Sequence, residues 1–544
     1  MGDIFSLSAI QPRLAERDDP RASYGPTLPP HSSIQAAESS LPDPQSPNYL
    51  QGQPPSSTAS HIIRDIVPAL TGQARSSRYY GFVTGGVLPI AEWADNVVSR
   101  TDQNVQVHLP AQTAATAVED AALEMLVRLL RLHVGGATWA GRTFTTGATA
   151  SNILGLACGR EIVVNRRLGG EGVGELGLLA ACARAGVEEI QVLTSAGHSS
   201  LSKAASVVGL GRRSVKELAL SENQPWRLDI DALEGELRRR GTASIIAITA
   251  GDVNTGGYAL QGPEEWKRVR ELADTYGAWI HVDGGKLLVC VSAHKMPLLT
   301  CFSHGCICEG SRRRTATSAA EAKNRRHPTS RQHHTRRPQT PQRSMPPTSR
   351  SSVRRKNRQT NQDKPYDCGI FFTRSASTLS SVFVNPNAAY LASSAAATIP
   401  SPLNIGLENS RRFRALPAYA VLLSEGRPGI AKLLSNMIAL CRKLAAYLRE
   451  SPHYELLPDE SAPLDGIFMT LLFRARSKDV NDALVDRINR TREMYVSGTK
   501  WKGEAAVRVA VSNWKVHVDR DFAVVTQILD AVAEGRECSI ESTL

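Results

Sequence analysis

The sequence predicts an α/β protein with a large domain built on a mainly parallel sheet, followed by a smaller C-terminal α+β domain. Three observations carry this. Strand-like runs at 189–193, 245–249, 279–282 and 369–373 alternate with helix-like stretches, as in successive βα units. A small-residue turn, Thr145-Thr146-Gly147-Ala148-Thr149-Ala150-Ser151-Asn152, follows an apolar approach at 140–144 and opens a helical pattern. From about Ser410 helical patterns dominate (411–424, 429–450), then strand-like runs at 467–473 and 507–511 precede a last helix at 519–534.

Taken in order, residues 1–58 are rich in Pro, Ser and Gln with few large apolar side chains, which predicts a disordered tail. Residues 118–134 place apolar side chains at helical spacing and predict a helix with one face on a core. The large domain is expected over 59–405 and the small one over 406–544. Inside the large domain, 285–363 is anomalous. Apolar periodicity vanishes from about Ser311 to Gln362, and Arg, Ser, Thr, Pro, Gln and His dominate.

The chain has 544 residues and a formal net charge of +12, from 64 Lys and Arg against 52 Asp and Glu. Residues 286–364 hold 18 of the basic and 3 of the acidic residues, leaving 46 against 49 elsewhere. The basicity belongs to that one segment. Its Arg clusters (Arg312-Arg313-Arg314, Arg325-Arg326, Arg336-Arg337, Arg354-Arg355-Lys356) lack aromatic interleaving, so no specific nucleic-acid partner is expected. Cys301, Cys306 and Cys308 near His294 and His304 match no standard zinc spacing, and no metal is expected. Nine scattered cysteines read as reduced thiols. No apolar run reaches eighteen residues and no basic-then-apolar leader is present, which predicts a cytoplasmic protein without a membrane span.

A turn of small residues that opens a helix leaves backbone N–H groups unpaired at the positive end of the helix dipole, where a phosphate can bind. A plain helix cap of Thr and Ser is the alternative. Three later segments extend the pattern: His198-Ser199-Ser200-Leu201-Ser202-Lys203-Ala204, then the strand at 245–249 with Ala250-Gly251-Asp252-Val253-Asn254-Thr255-Gly256, then Ala278-Trp279-Ile280-His281-Val282-Asp283-Gly284. In that order they resemble the group II pyridoxal-phosphate decarboxylases, the family of aromatic amino acid, tyrosine, glutamate and diaminobutyrate decarboxylases. Tyr79-Tyr80-Gly81-Phe82-Val83-Thr84, Pro365-Tyr366-Asp367-Cys368-Gly369, Ser410-Arg411-Arg412 and Arg508-Val509-Ala510-Val511-Ser512-Asn513-Trp514 add to the resemblance, which covers roughly 60–285 and 365–535.

The resemblance implies the aminotransferase-like fold (fold type I) and pyridoxal 5'-phosphate as cofactor. Gly147, Ala148 and Thr149 would hold its phosphate, although the family's usual acidic residue after the small pair is Ala150 here. His198 matches the histidine that stacks on the pyridine ring; a partly buried loop histidine, or a cap beside Ser199 and Ser200, is the alternative. Asp283 matches the carboxylate that pairs with the ring nitrogen, against an exposed strand-end Asp. Thr249 and Asn254 would shape the pocket or serve loop geometry alone. Tyr390 stands near the family's loop tyrosine that returns a proton after carbon dioxide leaves, or is a core residue. Arg412 resembles an arginine at the domain junction, or makes a surface ion pair. Tyr80, Phe82 and Thr84 would line the substrate side chain or pack a core.

The family's chemistry also needs a lysine bonded to the cofactor aldehyde, five residues before the Pro-Tyr-Asp-Cys-like segment. Thr360 occupies that position before Pro365. Lys364 directly precedes the proline. Lys295 follows a histidine, as in the family, but is twelve residues after Asp283 and seventy before Pro365. Gly285-Lys286 can be encoded by GGT-AAG, which contains a splice-donor-like GTAAG. Residues from about 285 to 362 therefore read as retained intron followed by exon out of frame. The expected reaction is decarboxylation of an L-amino acid substrate to its amine, catalysed by a homodimer. Transamination, aldehyde formation on the same scaffold, and a non-catalytic protein lacking a competent lysine are the rivals.

Overall fold

The run Thr242–Thr249 is apolar toward both faces and buried along almost its whole length, as expected of a strand covered on two sides. In the computed structural model, which describes residues 27–133, 138–284, 367–386 and 399–538, it lies inside a four-stranded parallel sheet. The order is Val215–Glu217, Glu189–Thr194, Thr242–Thr249, Trp279–Asp283. Helices Ser199–Val207, Ile230–Leu237 and Gly262–Tyr276 lie between these strands in the chain. Register pairs Val192 with Ile245 and Thr249 with Asp283, so the last two strands end level.

Helix Ala148–Asn165 packs on this sheet and carries a buried residue on nearly every side. The strand before it, Gly141–Thr145, pairs with Gly369–Thr373. That pairing is antiparallel, unlike the three strands that share its alternating sequence pattern. Periodicity reports how a strand is buried and says nothing of its direction.

A second core forms around the antiparallel sheet Tyr454–Leu457, Thr470–Ala475, Glu504–Ala510, Ser497–Trp501, under helices Ala415–Glu450 and Val518–Ala533. The first of these helices breaks at Gly426 (φ 56°, ψ −165°), two residues before Pro428, which recovers the two helical stretches read from the sequence. Arg411–Arg412, expected at the start of that helix, instead pairs as a short strand with Asn104–Val105. Strands Tyr454–Leu457 and Ser497–Trp501 escaped the sequence reading because the first is short and the second (SGTKW) has little apolar character. The second core is not drawn from C-terminal residues alone. Tyr80, Val98, Leu123, Leu126 and Phe144 join it.

Two further differences concern boundaries. The helix expected over 118–134 is Ala115–Leu129; Arg131 takes φ 52° and turns the chain away, and Leu132 is buried outside the helix. Within the tail expected to lack order, His31–Ser39 and Pro55–His61 are helical. Thr27, the first described residue, donates from Oγ1 to the Glu493 carbonyl at 2.7 Å, and Leu28 N donates to the Arg492 carbonyl at 3.1 Å. Composition counts apolar side chains and misses backbone partners supplied from more than four hundred residues away. Among the described residues no helix is long and apolar enough to cross a membrane.

Candidate active site

The small-residue turn lies where strand Gly141–Thr145 gives way to helix Ala148–Asn165. Gly147 is the N-cap residue, at φ 155° and ψ −179°, a conformation open essentially to glycine alone. No side chain caps the helix, and a Cβ at Gly147 would meet nothing within 4 Å. The first helical bond runs from Ser151 N to the Gly147 carbonyl, so the N–H groups of Ala148, Thr149 and Ala150 have no acceptor within the helix. Below the turn, Thr145 Oγ1 donates to the Gly147 carbonyl at 3.1 Å and lies 2.8 Å from Ser151 Oγ, which donates to the Ile370 carbonyl. The turn is pinned from beneath and open above.

Asp283 ends its strand half-buried. Asn152, in the second turn of the helix, donates from Nδ2 to Asp283 Oδ2 at 2.9 Å and to Ser200 Oγ at 3.1 Å. His281, two residues before Asp283 and on the same face of the strand, approaches Asn152 Oδ1 with Nε2 at 2.8 Å. The amide oxygen only accepts, so the proton stands on Nε2 of His281. Burial pushes this imidazole below its ordinary pKa, against the opposing pull of the Asp283 charge, and favours the neutral ring. Its Nδ1 has no hydrogen-bond partner among the described residues.

His198 is exposed and is the N-cap of helix Ser199–Val207. Its Nδ1 accepts from Ser200 N at 3.1 Å and lies 2.6 Å from Ser200 Oγ. The capping alternative for this histidine is thus realised. It leaves the rest of the ring outside the helix, and Ser200 ties that ring to Asn152. Two of the residues singled out by sequence, His198 and Asp283, therefore meet in one hydrogen-bonded cluster.

No protein-family model matches the chain. It is 22% identical to an L-2,4-diaminobutyrate decarboxylase of Acinetobacter baumannii over 439 residues, 75% of this chain and 73% of that one. Among solved structures, an Oryza sativa TDC with PLP and tryptamine superposes with TM-score 0.71 at 17% identity, over 97% of this chain and 96% of the other. A Rhodiola rosea 4-hydroxyphenylacetaldehyde synthase gives 0.70 at 14% identity, over 99% and 100%. The relatives and solved structures that the chain resembles are group II pyridoxal-phosphate decarboxylases. Their fold, fold type I with an α/β core, is the one described above.

Not every residue singled out by analogy with these decarboxylases joins the cluster. Tyr80 is fully buried in the second core, its backbone bonded to Tyr495 and Ala510. A side chain so placed packs a core, the alternative weighed for it from sequence. Thr84 is buried beside Ser512, which donates to its carbonyl, whereas Phe82 is half exposed and leans on Tyr79 and Tyr495. Asn254 accepts from Thr499 Oγ1 at 3.3 Å, so its side chain serves the loop's contact with strand Ser497–Trp501. Thr249 pairs in register with Asp283. Arg412 makes the surface ion pair, with Asp95 at 2.7 Å; its neighbour Arg411 is the buried arginine, bonded through both terminal nitrogens to Glu119. Tyr390, Lys295 and Lys364 lie outside the described residues, as does the whole 285–363 segment. Asn152, Ser200 and His281 were in the quoted motifs, but the sequence carried no sign that they touch.

Proposed function

We propose that this chain binds pyridoxal 5'-phosphate and decarboxylates an L-amino acid to its amine and carbon dioxide. The observation that carries the reading is the 2.9 Å bond joining Asp283, at the carboxyl end of a parallel strand, to the helix whose open N-terminus is the Gly147 turn. Ligands of such sheets bind beyond the carboxyl ends of the strands. The residues present fit the cofactor. An uncapped helix start with clear space above Gly147 suits a phosphate, and a carboxylate held at the strand end suits a protonated ring nitrogen.

When bound, the cofactor supplies an electron sink for the bond between the substrate's Cα and its carboxylate. The chain does the rest. Gly147, Ala148 and Thr149 bind the phosphate through backbone N–H groups, with the Thr149 hydroxyl beside them. Asp283 holds a proton at the ring nitrogen. His198 presents its imidazole to the ring face and orients it. Tyr390 is proposed to return the proton to Cα, and Lys364 or Lys295 to bond the cofactor aldehyde. The reading includes a cytoplasmic homodimer and a division into a large domain over 59–405 and a small one over 406–544.

Titrating the purified chain with pyridoxal 5'-phosphate and following its absorbance tests the binding step. Asp283→Ala should weaken it about 10- to 100-fold, the worth of a hydrogen bond to a charged group. Unchanged affinity would remove Asp283 from the site. Borohydride reduction followed by peptide mass mapping then locates the bonded lysine, and transcript sequencing across 283–366 tests the intron reading. Product analysis with a panel of amino acids separates amine plus carbon dioxide from keto acid or aldehyde.

A further inference from the structure

We infer that Asn152 is a positioning residue, which aims the Asp283 carboxylate and, through Ser200, the His198 imidazole at one ring, its own amide held in orientation by His281. The inference rests on the proposed cofactor reading and deepens it. Asn152 is 2% exposed, and both its Nδ2 hydrogens and its Oδ1 are engaged. The two Nδ2 hydrogens go to Asp283 and Ser200, and Oδ1 receives His281 Nε2–H. A flipped amide would set oxygen against a carboxylate and an N–H against an N–H, so only one orientation survives.

The partners come from three elements: helix Ala148–Asn165, the start of helix Ser199–Val207 and strand Trp279–Asp283. One residue thereby sets the relative placement of the acid and the imidazole. The backbone of the helix makes room for this. A Cβ at Gly155 would stand 2.3 Å from both Cε1 and Nδ1 of His281, so the ring lies hard against the helix one turn beyond Asn152. An amide also suits the task chemically. It holds Asp283 Oδ2 through a neutral N–H donor, so the contact fixes the oxygen's position without itself adding a positive charge.

The test compares two ligands on the full chain: pyridoxal 5'-phosphate, and its 1-deaza analogue in which C–H replaces the ring nitrogen. The ratio of their dissociation constants, from absorbance or fluorescence titration, reads the Asp283 contact alone. The wild type should prefer the natural cofactor by about tenfold or more. Asn152→Ala should bring that preference within about threefold of unity while leaving affinity for the analogue within about threefold of wild type. Preserved preference in Asn152→Ala, or equal loss of both affinities, overturns the inference. His281→Gln keeps an N–H toward Asn152 and should retain more of the preference than His281→Leu; equal loss in those two also overturns it, and this pair needs no substitution at Asn152. A wild type without any preference instead refutes the ring-nitrogen role of Asp283, and the proposed function fails first.

Discussion

Two carboxylates in this molecule are held in opposite ways. Glu119 is buried and bonded by both oxygens to Arg411, itself buried, through two charge-assisted hydrogen bonds. Asp283 is half-buried, and its Oδ2 is held by a neutral amide. The first arrangement neutralises the acid and closes the junction between helix Ala115–Leu129 and the short strand Arg411–Arg412. The second fixes the position of one oxygen through a neutral donor. The two carboxylates are thus distinguished by what holds them rather than by burial alone.

The largest effect should come from breaking the neutralised pair. Arg411→Ala strands the Glu119 charge and should cost about 3–5 kcal/mol in urea unfolding. A loss below 1 kcal/mol would show that Glu119 finds water, and the contrast with Asp283 would fade. Next, Gly155→Ala presses a methyl into the His281 ring and should destabilise by about 1–3 kcal/mol, with a parallel loss of preference for the natural cofactor over its deaza analogue. Stability loss without loss of preference would separate packing at this point from aiming of Asp283.

A smaller effect concerns pH. Burial lowers the His281 pKa, so below the ordinary imidazole value (~6.5) the unfolded chain takes up a proton that the folded chain resists. This histidine's share of stability is complete above that value and is lost as pH falls through the folded pKa. Between about pH 7.5 and 5.5, unfolding midpoints should drop more for the wild type than for His281→Gln. Parallel curves would mean that the ring accepts its proton without cost. The smallest effect is expected at Arg412, whose pair with Asp95 is partly exposed; Arg412→Ala should change stability by well under about 1 kcal/mol.

Much of the fold was legible in the chain. The parallel strands and the helices of the C-terminal region follow from apolar spacing, which is a local property. The small-residue turn that opens helix Ala148–Asn165 was equally legible, because small residues at a helix start announce themselves over eight positions. Strand Ser497–Trp501 was not, since polar residues and one tryptophan carry no period-two signal of burial. The N-terminal helices were hidden too, because their anchors, Thr27 with Glu493 and Leu28 with Arg492, come from distant sequence. At the junction, sequence pointed to Arg412, and the fold buries Arg411 instead. Adjacent residues on a strand face opposite sides, and only the pairing with Asn104–Val105 decides which side is inward.

Sequence by itself determined which chemical groups exist: a small-residue turn, an imidazole at 198 and an acid ending a strand. Tertiary structure decided that the imidazole and the acid join one hydrogen-bonded cluster with the helix that the turn opens. Asn152 and Asp283 are 131 positions apart, and their contact depends on how helix Ala148–Asn165 sits on strand Trp279–Asp283. That placement is set by packing at Gly155 and Gly159 against His281 and Trp279, a match of surfaces that no local pattern encodes.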